Sequence, residues 1–110
     1  MSRLIPCPLP GCTGVDNDRP RYFLALPDEW VGQHAHNRDQ AAITARERKM
    51  LPTLTNFAIA MALLEDWSLP GMNGNPEKWD FMAVKLEVIA WVSDEVLRDF
   101  GRCFVIPKNS

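Results

Sequence analysis

Cysteine is scarce in this chain: Cys7, Cys12 and Cys103 are the three in 110 residues. An odd, low number argues against a disulfide framework, and thiols are expected. Long apolar runs are missing too. The longest, Phe57 to Leu64 (FAIAMALL), falls far short of the roughly 20 residues a membrane span needs. Near the start, Pro6, Pro8 and Pro10 interrupt any apolar helix, so no signal peptide is expected and the chain is expected in the cytosol. Charge of one sign is lacking as well, with 12 basic and 14 acidic residues giving a net charge of −2. No basic stripe is available to neutralise phosphates, which argues against a nucleic-acid partner. Neither GxGxxG nor GxxxxGK[ST] occurs, so no nucleotide-cradling loop is expected and no cofactor is implied.

What is present is the balance of a folded globular chain: 46% hydrophobic and 24% charged residues. The length suits one modest core. Character changes near residue 37. Residues 1–36 read as an irregular, proline-rich arm in which Arg21 to Leu26 (RYFLAL), bounded by Pro20 and Pro27, is the one strand expected. A strand this short needs a partner, either within the arm or from another molecule. From Asn37 the pattern turns helical. Residues 38–50 (RDQAAITARERKM) are good helix formers with a weak apolar face. Pro52 then stops that helix and opens a second, expected to run to Trp67 and apolar nearly all round, as a central helix is. Glu65 and Asp66 at its end would oppose the helix dipole.

Residues 68–75 (SLPGMNGN) read as a loop, and Asn75-Pro76-Glu77 as a helix start. The last helix is expected to reach Phe100, with a break near Asp80 and Gly101 as its cap. Met82, Leu86, Ile89, Val96 and Phe100 form one stripe, expected to face the central helix. Val84, Val88 and Trp91 form a second stripe across the helix. That face meets either the weak first helix or another chain. The resulting fold class is mainly α: about three helices in residues 37–110, preceded by the arm of residues 1–36 with its short strand.

Candidate chemistry is thin. Cys7 and Cys12 form C-x4-C, and His34 with His36 could complete a tetrahedral zinc site. The H-x-H spacing is not that of a structural finger, and free thiols are the alternative. Those histidines could titrate near neutrality, but no nucleophile in an elbow setting accompanies them, so no catalytic residues and no enzyme activity are expected. The acids flanking Trp67 and Trp79 lack EF-hand spacing. The preferred reading has the two tryptophans clamping the loop between helices while the acids stay wet. Tryptophan is enriched in binding hot spots, and Trp91, Trp67, Trp79, Val84 and Val88 are the expected partner-binding residues.

The segment Ala62 to Gly71 (ALLEDWSLPG), with Thr44 to Arg48 (TARER) upstream, the helix through Trp91 to Phe100 and the Pro107-Lys108-Asn109 end, resembles the tail assembly chaperones of long-tailed bacteriophages. The likeness covers residues 40–110. Pro-Lys-Asn can be encoded CCA AAA AAC, which contains the slippery heptamer A AAA AAC. The resemblance implies a small, mainly helical, non-enzymatic protein of the host cytoplasm. It implies a short form and a longer, minus-one frameshifted form that bind tape measure and tail tube proteins, self-associate, and leave before the particle is complete. A small structural tail or connector component retained in the virion is the alternative expectation. A zinc-stabilised interaction module on Cys7, Cys12, His34 and His36 is a third. The arm with Cys7 and Cys12 has no counterpart in the resemblance.

Overall fold

The computed structural model describes residues 3–10, 14–16, 19–69 and 81–104. Strand β1 spans Arg3–Pro6, β2 Val15–Asp16, β3 Arg19–Pro20 and β4 Phe23–Leu26. Helices α1 (Gly32–Glu47) and α2 (Pro52–Leu63) follow, then β5 (Asp66–Ser68), a 3₁₀ turn (Phe81–Ala83) and α3 (Leu86–Gly101). A last 3₁₀ turn, Arg102–Phe104, closes the described chain.

The expected strand is present as β4, but it is not the only one. It lies at the centre of an antiparallel sheet of order β1-β4-β5, and β2 pairs with β3 as a separate ribbon. Leu4 faces Ala25 across one edge and Trp67 faces Leu24 across the other. The partner of β4 is thus found twice within the chain, once in the arm and once after α2. These added strands are two to four residues long, too short to show an alternating pattern.

Helix α1 starts at Gly32, five residues before the expected Asn37, and so takes His34 and His36 out of the arm. No Ser, Thr, Asp or Asn caps it. Instead Val31 N–H donates to His34 Nδ1 at 2.9 Å, so a side chain in the first turn satisfies the orphan donor. At its other end Met50 N–H reaches Ala45 O and Lys49 N–H reaches Arg46 O, at 2.9 and 3.0 Å. This double closure is a Schellman motif, with Lys49 at φ 58° in the place glycine usually takes. Only Ala45 of α1 is buried, in keeping with its weak apolar face.

Helix α2 opens at Pro52 as expected but stops at Leu63, four residues short of Trp67. Leu64 is extended, and Glu65 N–H donates to Ala25 O at 3.0 Å, drawing the chain into the sheet. Glu65 and Asp66 therefore lie outside the helix whose dipole they were expected to oppose, and Trp67 sits on a strand. The expected start of the last helix at Asn75 lies outside the described residues. A break is present, with Phe81–Ala83 in a 3₁₀ turn and α3 beginning only at Leu86. Gly101 is the last residue of α3, and Arg102, in ordinary right-handed conformation, takes the cap position.

One core joins all of this. Leu24 and Leu26 of β4, Phe57 and Leu63 of α2, Leu69, and Val92 and Val96 of α3 are essentially fully buried. Each such side chain contributes roughly 1.5–3 kcal/mol by leaving water. Because β4 supplies two of them, the core runs across the boundary expected at residue 37.

Candidate interaction surface

The zinc quartet is not assembled among the described residues. Cys7 is buried, and its backbone N–H donates to Tyr22 O at 3.0 Å. Cys12 lies outside the described residues. His34 already accepts from Val31 through Nδ1, and its ring meets Trp30 edge-on at 5.0 Å. His36 is exposed, two positions further along a helix and so about 200° round it. The imidazoles do not share a face. No group of three or more His, Cys, Asp or Glu side chains is gathered among the described residues. Asp28, Glu29 and Asp39, the acids nearest the histidines in sequence, are exposed.

Of the expected partner-binding residues, Val88 is 3% exposed and belongs to the core; it offers no surface. Val84, Trp91 and Trp67 are half-buried and pack against that core. Trp79 lies outside the described residues, and with it the expected clamp. The buried stripe of α3 is Val88, Ile89, Val92, Val96 and Phe100, while Met82 and Leu86, expected to face inward, are 83% and 71% exposed. For Met82 the break before Leu86 is the physical reason, while Leu86 is the first residue of α3 and precedes its inward stripe. Met82 belongs to the 3₁₀ turn, so helical spacing does not carry across residues 84 and 85. The inward stripe is then set by Val88 and the residues at intervals of four behind it.

A cluster that sequence reasoning missed ties the chain's two ends together. Arg3 donates to both carboxylate oxygens of Asp99, Nη2 to Oδ2 at 2.7 Å and Nη1 to Oδ1 at 3.2 Å. It also donates to Pro27 O through Nε and Nη2, at 3.0 and 2.9 Å. Trp30 Nε1–H donates to Asp99 Oδ2 at 2.8 Å. The Trp30 ring stands edge-on to Phe100 at 5.1 Å, and the Arg38 guanidinium lies 5.3 Å from the centre of the same ring. The hydrogen bonds from Arg3 hold the Asp99 carboxyl below its usual range; partial burial opposes this, and Trp30 and Arg102 add to it. A signal was present in the sequence, since an acid in the last turn of a helix opposes the dipole unless a cation meets it.

Chemically this cluster is a latch. Within it Asp99 is met by Arg3 and Trp30, and the exposed Cys103 lies close enough to Arg3 to act on its charge. Exposed apolar side chains among the described residues include Met82 and Leu86 around the start of α3 and Leu51 in the α1–α2 turn. No protein family, no curated protein and no solved structure matches this chain.

Proposed function

We propose that this chain is a non-enzymatic assembly chaperone of a phage tail, binding tape measure and tail tube proteins transiently in the host cytoplasm. The observation that carries the reading is the apolar surface at the start of α3. Met82 and Leu86 are 83% and 71% exposed, and Val84 and Trp91 are only partly buried against the core. The resemblance of residues 40–110 supplies the identity of the partners. Few large anchors on a small face suit binding weak enough to release. Trp67, on an edge strand of the sheet, is a further candidate contact. Among the described residues no helix is long and apolar enough to cross a membrane, which is compatible with the reading.

The native gene, with its downstream DNA and an N-terminal tag, would be expressed in bacteria and its products sized by blot and mass spectrometry. The reading expects a major short product and a minor, longer minus-one fusion. A single product, together with the protein in purified virions, would favour the retained structural component instead. Trp91→Ala is expected to weaken binding of purified tail tube or tape measure protein while circular dichroism shows the helices intact.

A further inference from the structure

The side chain that caps α1 is one whose hydrogen bonding depends on pH. Val31 N–H donates to His34 Nδ1 at 2.9 Å. In the usual capping box a Glu or Gln at this third helical position reaches back to the same N–H. An imidazole accepts only while neutral, here with its proton on Nε2; once charged, both ring nitrogens are donors. Protonation therefore turns Nδ1 from the partner of the Val31 N–H into its opponent, and the orphan donor of the helix start returns.

The setting of the ring acts in the same direction. His34 lies in the first turn of α1, where the helix dipole disfavours a cation, and that turn holds no acid. Arg38 stands one turn further along the helix, its guanidinium 5.3 Å from the centre of the Phe100 ring. On the segment before α1, Asp28 and Glu29 are exposed. From the strand and helix beyond Trp30 the charged groups are Arg3, Asp99 and Arg102, and Asp99 is already met by Arg3 and Trp30. None of the ion pairs among the described residues includes His34. One contact opposes the trend. Trp30 meets the imidazole at 5.0 Å with the rings 84° apart, and an indole face attracts a cation. That ring offers the Val31 N–H no acceptor in exchange.

Trp30 also extends the cap beyond its own turn. It stands edge-on to Phe100 at 5.1 Å and donates through Nε1 to Asp99 Oδ2 at 2.8 Å. His34, Trp30 and Asp99 thus form one line from the start of α1 to the last turn of α3. The core beneath holds no buried polar or charged side chain among the described residues.

We propose that His34 is a proton-operated cap. Neutral, it closes the first turn of α1 and holds Trp30 against the end of α3; protonated, it releases that turn while the rest of the fold stays formed. Histidine exchanges its proton near neutrality, so the closed form prevails above that range and is lost as pH falls through it. The acid response of the Arg3–Asp99 pair belongs to the carboxylate range and lies lower, so the two are separable. This switch needs only the cap geometry and is independent of the phage reading.

NMR of the full chain, titrated from about pH 8 to about pH 5, is the test, since histidine changes charge within that span. The Val31 amide is expected to lose protection from hydrogen exchange by roughly two- to thirtyfold after correction for intrinsic rates, the range that loss of a helix cap implies. The Trp30 indole N–H resonance should shift with the same midpoint, while the amide of buried Phe57 keeps its protection. His34→Gln retains an acceptor that does not titrate, so its Val31 amide should stay protected throughout. His34→Ala has no acceptor and should lack that protection at both ends of the titration. His36→Gln should behave like the native protein. A native Val31 amide whose protection does not change with pH overturns the proposal. So does a pH dependence that persists in His34→Gln or disappears in His36→Gln.

Discussion

Arg3 and Asp99, 96 residues apart, meet through two N–H···O bonds of 2.7 and 3.2 Å. One lies on the first strand and the other in the last turn of the last helix. The pair fastens the sheet to α3, and Trp30 donates to the same carboxylate. Asp99 is the better shielded partner, its side chain 18% exposed against 43% for Arg3.

Replacing Asp99 by Ala leaves the Trp30 N–H and the Arg3 fork without their acceptor. The expected loss is about 1–3 kcal/mol of unfolding free energy. Because solvent screens the Arg3 side of the pair, a double-mutant cycle with Arg3→Ala should return a coupling of about 1 kcal/mol. Urea unfolding of the four proteins measures it, and strictly additive losses would show that the two groups act independently.

The same pair makes stability depend on acid. Asp99 has its pKa lowered in the folded state, chiefly by the Arg3 hydrogen bonds. The unfolded chain thus binds a proton more readily than the native one. The contribution is present above the unfolded carboxylate value of about 3.9 and is lost as pH falls through the lower folded value. Urea midpoints measured from neutrality down into this range should fall more steeply for the native protein than for Asp99→Asn. Parallel profiles would remove Asp99 from the acid response.

Lys49, at φ 58°, closes the Schellman motif of α1. Glycine adopts that conformation without strain, so Lys49→Gly is expected to raise stability by about 0.5–1 kcal/mol. Thermal melting monitored by circular dichroism reads the change. A lower melting temperature would mean that the lysine side chain contributes more than its backbone costs.

Two substitutions separate the inner and outer faces of the helical layer. Phe57→Ala, at a fully buried ring, is expected to cost about 3–5 kcal/mol. Leu86→Ala, at a side chain 71% exposed, should stay within about 0.5 kcal/mol in the isolated protein. A large loss at Leu86 would show that this side chain is covered in solution.

Helical existence was legible where local chemistry acts over a single turn. Pro52 opened α2, the run from Phe57 to Leu63 marked the central helix, and the poor apolar face of residues 38–50 marked a solvated one. The start of α1 was not legible, because its cap is His34, a residue outside the usual capping set. Nor was the sheet: β1 and β5 exist because β4 is a buried strand with two open edges, and edge pairing rewards proximity rather than pattern. On α3 the expected inward residues Ile89, Val96 and Phe100 are buried, whereas Met82, across the break in the 3₁₀ turn, and Leu86, the first residue of the helix, are exposed.

The sequence by itself determined that this chain has one modest core, that α2 lies in it, and that no single-sign charge or nucleotide loop dominates its surface. These follow from composition and from contacts within a turn. Only the tertiary structure decided that Val88 is inside and Leu86 outside, and that Arg3 meets Asp99. Each of those depends on which distant segments pack together, and no interaction between near neighbours in the chain encodes that.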